Sequence, residues 1–243
     1  MGKSRSAITL RLLTKADLPQ ITAIHMSAFP HRAMTALGSN AVQRYYDWLL
    51  TDVHPRAYRM GAFDGEKMLG FNFAGRYNGA LSGFLDRNRN FLIAKVATRP
   101  WLLLTNELFR SRISIALRIL SRKKTPARLI SPDDTQPRAK IPTGFGILAI
   151  AVDPLVQGKG VGKLLMLDAE REAKRLGHTT LDLSVDLENS HAIEFYERLG
   201  WQKFYVADGS WQGTMVKILA PPTASPGSTG SATPIGSTPS SAL

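Results

Sequence analysis

The sequence of 243 residues contains no cysteine. That excludes disulfides, thiolate zinc sites, iron–sulfur clusters and a cysteine nucleophile, and it makes a reducing compartment, the cytoplasm, the expected location. Histidine is scarce as well, five in all, and shows no clustered ligand spacing, so no metal centre is expected. Long apolar runs are missing: the opening Met1–Leu13 holds one short stretch interrupted by Arg11, too brief for a membrane span and unlike a secretory leader. Met1-Gly2 with Ser6 fits the loose myristoylation pattern, which arises often by chance. Acidic residues are the minority charge, 19 against 31 Lys and Arg, for a net charge of +12. Such a surplus attracts polyanions, whether nucleic acid, anionic lipid or a phosphorylated small molecule.

With 44% apolar composition the chain can build one mid-sized core. The surplus charge is localised, because 13 basic and three acidic residues stand between Arg87 and Lys140 and the remainder is nearly neutral. Within this segment, 99–124 has helical spacing, with Leu102, Phe109, Ile113, Ala116 and Leu120 on one face and Arg110, Arg118 and Arg122 largely off it. A basic amphipathic helix of this kind can cover its own domain, lie on an anionic membrane or grip a polyanion. From Ala220 to Leu243 the chain has no charge and almost only Pro, Gly, Ser, Thr and Ala, the composition of a disordered tail.

The remaining segments read as alternating elements. A strand over Ile8–Leu13 leads through Thr14-Lys-Ala-Asp17, a capping-box pattern, into a helix to about Phe29. A second helix is predicted over Asn40–Leu50, and two strands over Ala57–Phe63 and Lys67–Arg76 flank the hairpin signal Asp64-Gly65. Gly144–Val152 is a continuous apolar run, as expected for a strand buried on both faces. A helix over 160–176, a strand over 180–185, a helix over 190–199 and strands over 201–206 and 211–219 follow, with Gly177 and Gly200 as helix stops. This order indicates an α/β (α+β) sheet with helices on its faces.

Chemistry concentrates where Gly144–Val152 runs through Asp153-Pro154 into Gln157-Gly158-Lys159-Gly160-Val161-Gly162-Lys163. A strand entering a helix through a glycine-rich turn aims unpaired N–H groups and the positive end of the helix dipole at one point, a ready site for phosphate or pyrophosphate. Lys159 and Lys163 can add charge. A Walker A loop is excluded, since only three residues separate Gly158 from Gly162 and Leu164 replaces the magnesium-binding hydroxyl. The dinucleotide fingerprint fails too, because the spacing is Gly-x-Gly-x-Gly and lies late in the chain.

Gln157-Gly-Lys-Gly160-Val-Gly162, behind a strand ending Val-Asp-Pro, resembles the Gln/Arg-x-x-Gly-x-Gly/Ala signature of the GNAT superfamily of acyl-CoA-dependent N-acyltransferases. Asn189-Ser-His-Ala-Ile-Glu-Phe195-Tyr196-Glu-Arg-Leu-Gly200-Trp201 is similar to a second motif of that family, with Trp in its last place. The opening Leu12–Pro19 is similar to the family's first strand and helix. The resemblance spans about 8–76 and 144–219. It implies a GNAT-like central mixed sheet flanked by helices, one domain over 1–219 with a basic helical insertion at about 77–140, and the tail from 220.

The resemblance further implies an enzyme that moves an acetyl group from acetyl-CoA to a primary amine by direct attack, without metal. Ile150 and Val152 would offer backbone groups to the pantetheine arm, an added-strand interaction in which the Val152 amide polarises the thioester carbonyl. The turn from Gln157 through Gly158, Lys159, Gly160, Val161, Gly162 and Lys163 would take the pyrophosphate, and Asn189 would meet the pantetheine while also suiting a helix cap. Tyr196 matches the family tyrosine assigned as the acid for the departing thiolate. The general base stays open among Asp186, Glu188, His25, His31 and a water chain, because 147–152 contain no ionisable residue. The implied acceptor is a small-molecule amine, and the size and place of the insertion resemble those of GNAT relatives from polysaccharide-biosynthesis contexts, which implies an amino-sugar. The alternatives are a protein N-terminus or lysine, and a non-catalytic acetyl-CoA-binding module docked through 99–124 to a membrane or nucleic acid. Anionic membrane is the stronger of those two partners, and the oligomeric state is left open.

Overall fold

The computed structural model describes residues 7–51, 53–54, 57–77, 80–98 and 145–219. The basic helix expected at 99–124, the tail from Ala220 and the Met1–Ser6 pattern lie outside the described residues. In chain order the elements are β1 (Thr9–Leu12), α1 (Leu18–Ala28), α2 (Ala33–Ala36), α3 (Ser39–Leu49), β2 (Ala57–Asp64), β3 (Lys67–Gly75), α4 (Ala80–Arg87), α5 (Arg89–Ala97), β4 (Gly146–Val152), α6 (Val161–Arg175), β5 (Thr180–Ser184), α7 (Ser190–Arg198), β6 (Gln202–Tyr205) and β7 (Trp211–Ile218). The strands form one seven-stranded sheet in the order β1-β2-β3-β4-β5-β7-β6. All neighbours are antiparallel except β4 and β5. The mixed sheet with flanking helices is the architecture expected from the sequence.

Strand alternation distributes the core between the two faces of the sheet. Phe71, Phe73, Ala149 and Ala151 pack with Ile21 and Ile24 of α1 and Val42, Tyr46 and Leu49 of α3. The intervening positions point to the opposite face, where Ile150 and Val152 pack with Val161 and Leu165 of α6 and the Asn72 amide donates to the Leu165 carbonyl at 3.3 Å. β3 is buried on both sides beyond Lys67, which explains its near-continuous apolar sequence.

The local signals act as their chemistry dictates. Gly65, at φ +58°, turns the β2–β3 hairpin. Gly177, at φ +80°, ends α6, with its own N–H bonded to the Lys174 carbonyl and that of His178 to the Ala173 carbonyl. The helix α2 appears where no helix is expected from the sequence, whereas α4 and α5 lie within the insertion expected to be helical at about 77–140, with no individual helix assigned before 99. The first of these, α2, is a single turn, too short for periodicity to register.

Asp17 fastens the first strand to the first helix. Its buried carboxylate accepts from both Arg11 guanidinium nitrogens at 2.7 and 2.9 Å, from the Thr14 N–H at 2.8 Å and from the Thr14 hydroxyl at 3.1 Å. The Arg11 hydrogen bonds hold its pKa below the usual carboxylate value, against the opposing effect of burial. Its contribution is therefore present above the unfolded carboxylate pKa and is lost as pH falls through the lower folded value. Asp17→Ala should cost about 2–3 kcal/mol in urea unfolding at pH 7, and the deficit relative to wild type should shrink at strongly acidic pH. A deficit that is the same at both pH values would show that the carboxylate charge is not the source.

Candidate active site

β4 and β5 separate almost as soon as they meet. Their parallel pairing covers only Gly146–Asp182 and Ile147–Leu183, whereas β4 stays paired with β3 as far as Val152. Beyond Ile147 one edge of β4 therefore has no strand beside it among the described residues. The Asp153 N–H donates to the Leu69 carbonyl on β3 at 2.9 Å. By the alternation of an antiparallel ladder, the backbone groups of Ala151 then also face β3, and those of Ile150 and Val152 face the gap.

The gap leads to the glycine-rich turn. Asp153 starts it by accepting from the Leu155 N–H at 3.0 Å, and the Gln157 side-chain amide donates back to the Val152 carbonyl at 3.3 Å. Gly158 and Gly160 stand at φ +77° and +85°, backbone conformations that a side chain would strain. Gly162 serves a different need: a Cβ there would lie 3.3 Å from the Phe195 ring and 3.6 Å from a Val152 methyl, so its absence lets α6 approach α7 and β4 closely. The first backbone bond of α6 runs from Leu164 N–H to the Gly160 carbonyl. The seven amides from Gln157 to Lys163 make no hydrogen bond to any described residue. Together they form a concentrated set of donors at a helix N-terminus.

A cavity of about 1200 Å³ joins these parts. Its lining includes Ile150, Val152, Gln157, Gly158, Gly160, Val161, Gly162, Lys163, Asn189 and Tyr196. Of the residues expected to bind the cofactor or act as the acid, Lys159 alone is absent from that lining, and it is exposed. Asn189 caps α7, its side-chain oxygen accepting from the Ala192 N–H at 3.1 Å. Tyr196 is buried between Phe195 and Trp201, and its hydroxyl has no hydrogen-bond partner among the described residues. Burial pushes its pKa up to about 12, which keeps it protonated at neutral pH.

The four side-chain candidates for a base separate clearly. His31 and Glu188 are exposed and do not line the cavity. Asp186 does line it, but one oxygen pairs with Arg32 at 3.1 Å and the other accepts the Glu188 N–H at 3.4 Å. His25 also lines it, with Nδ1 at 2.8 Å from the Tyr46 hydroxyl and Nε2 enclosed without a partner. The Arg32–Asp186 pair went unrecognised in the sequence, since nothing local connects positions so far apart. Among the described residues no group of three His, Asp or Glu side chains could hold a metal ion, and no helix is long and apolar enough to cross a membrane.

Burial, and secondarily the nearby Arg32 charge, lower the His25 pKa to about 4. The unfolded chain therefore binds more protons than the folded one between about pH 4 and 6.5, and stability must fall as pH drops through that window. The loss amounts to about 3 kcal/mol at most. Chemical denaturation at pH 7 and pH 4.5 checks this: His25→Gln should retain more of its pH 7 stability at pH 4.5 than wild type does. An identical pH response in both proteins would contradict the assignment.

Residues 130–201 match a model of the Acetyltransferase (GNAT) family. Over 60 residues the chain is 43% identical to an uncharacterized N-acetyltransferase of Methanocaldococcus jannaschii, a match covering 25% of this chain and 26% of that protein. It is 35% identical over 60 residues to the mycothiol acetyltransferase of Rhodococcus erythropolis, covering 25% and 20%. The chain thus spans about a quarter or less of the length of these relatives. A Desulfovibrio desulfuricans protein of the GNAT family shares the fold, with 16% identity, a TM-score of 0.51 and coverage of 88% of this chain and 100% of that one. The unpaired β4 edge and the glycine-rich turn behind it lie within the 130–201 stretch that is similar to the GNAT family.

Proposed function

We propose that the chain is an acetyl-CoA-dependent N-acetyltransferase acting on a primary amine of a small molecule, with residues 1–219 as its single domain and about 77–140 as an insertion. The observation that carries this reading is the run of seven unpaired amides at the α6 N-terminus, adjoining an unpaired strand edge. Backbone donors of that number suit a pyrophosphate, and an open strand edge suits an extended amide-bearing arm. When bound, acetyl-CoA supplies the activated acetyl thioester.

The residues divide the remaining tasks. Gln157, Gly158, Gly160, Val161, Gly162 and Lys163 hold the pyrophosphate, mainly through N–H groups, and exposed Lys159 adds charge nearby. Ile150 and Val152 pair with the pantetheine, and the Val152 N–H is placed to donate to the thioester carbonyl. Asn189, occupied as a helix cap through its oxygen, keeps its NH2 group for the same arm. Tyr196, held protonated by burial, donates the proton that the departing thiol needs. His25 Nε2 is enclosed, Asp186 is paired with Arg32, and His31 and Glu188 do not line the cavity, so we assign the proton leaving the amine to water.

The absence of any ionisable residue on β4 favours a second reading, a module that binds acetyl-CoA without turnover. A thermal-shift titration and a thiol-release assay separate the two. Acetyl-CoA should raise the Tm of wild type, while Gly160→Glu, which places a carboxylate among the amides, should remove most of that shift. Tyr196→Phe should bind normally and lower kcat about 100-fold. A full shift with Gly160→Glu would overturn the pyrophosphate assignment, and binding without thiol release from any amine would establish the second reading.

A further inference from the structure

The cavity has two unlike sides. One is the β4 edge, the turn and α7; the other is built by α1 to α4 and the segment before α4, and it is lined by Phe29, Met34, Tyr45, Tyr77, Ala80 and Leu81. These side chains are apolar or aromatic, and Trp48, Phe84 and Phe91 back them in the adjoining cluster. The polar groups among them are largely occupied. The Tyr77 hydroxyl donates to the Tyr58 carbonyl at 3.3 Å, the Tyr46 hydroxyl faces His25 at 2.8 Å, and Arg32 is paired with Asp186.

From this lining we infer that the acceptor amine is carried on an uncharged, apolar or aromatic body. The inference rests on the N-acetyltransferase reading and names its substrate class. Charge arithmetic supports it. Arg32 is the one charged residue on this side among the described lining residues, and Asp186, across the gap on the loop after β5, already neutralises it. A second ammonium group would find no free carboxylate there among the described residues, and an acceptor phosphate would have to displace Asp186 from Arg32. Either would leave a charge unpaired in a desolvated place.

The titration behaviour of the wall points the same way. Burial raises Tyr45 to about 12, raises Tyr77 further, and lowers His25, all signs of poor solvation. A hydroxyl-rich sugar would lose its water contacts against such a wall and recover few hydrogen bonds. An alkyl or phenyl group gains on entering it, by a factor of about four for each methylene removed from water.

The test uses the full chain, with n-propylamine to n-hexylamine, 2-phenylethylamine, glucosamine and spermidine as acceptors. Turnover is read by thiol release, and binding to the CoA-saturated protein by calorimetry. We expect affinity and kcat/KM to rise about fourfold per methylene and to exceed the glucosamine and spermidine values. Leu81→Asn, which puts an uncharged polar group on this wall, should cut hexylamine binding at least tenfold while leaving the acetyl-CoA thermal shift intact. A flat alkyl series, a preference for glucosamine or spermidine, or no amine binding at all would overturn the inference. Hexylamine binding that is lost in Leu81→Asn, without thiol release from any amine, would uphold the apolar chamber and instead overturn the enzymatic reading.

Discussion

Two residue pairs hold β4 to β5, and then the strands part. Everything at the site depends on that short pairing. Had it continued, the backbone groups of Ile150 and Val152 would be spent on β5 and the sheet would be closed from β1 to β6. Because β4 remains tied to β3 along its whole length, the divergence opens a gap without loosening the sheet. The unpaired edge belongs to a strand otherwise packed on both faces, with Ala149 and Ala151 toward α1 and α3 and Ile150 and Val152 toward α6. A rigid strand with one open edge provides hydrogen-bond partners that need no rearrangement before binding.

The turn after β4 extends the same arrangement. Asp153 and Gln157 tie it back to its own strand, and two left-handed glycines aim its amides outward. Gly162 then allows α6 to settle against Phe195, which brings α7, and with it Tyr196 and Asn189, to the rim of the same gap. The run of unpaired amides, the strand edge and the phenol are thus consequences of one strand–turn–helix unit and of the helix packed beside it.

Much of this was legible in the sequence because it is local. Gly158, Gly160 and Gly162 have distinct backbone and packing duties that their spacing announced, and the apolar run before them identified the central strand. Asn189 and Gly200 marked both ends of α7. The apolar wall of the cavity was not legible, because Phe29, Met34, Tyr45, Tyr77 and Leu81 come from separate elements and have no shared pattern. The Arg32–Asp186 pair and the placing of β7 between β5 and β6 are likewise products of tertiary packing, with no short-range signal. His25 was visible as a candidate base, but only the packing reveals that its free nitrogen is enclosed.

The overall charge of +12 takes a different meaning from this arrangement. The anion proposed for the site would meet chiefly backbone amides, which carry no formal charge and persist at any pH. The central claim, that Ile150 and Val152 offer an open strand edge to the pantetheine arm, is tested most directly by amide hydrogen exchange with and without CoA. The Ile150 and Val152 amides should slow at least tenfold in the complex, while that of Ala151, which faces β3, should not change. Bound CoA without protection of those two amides would contradict it.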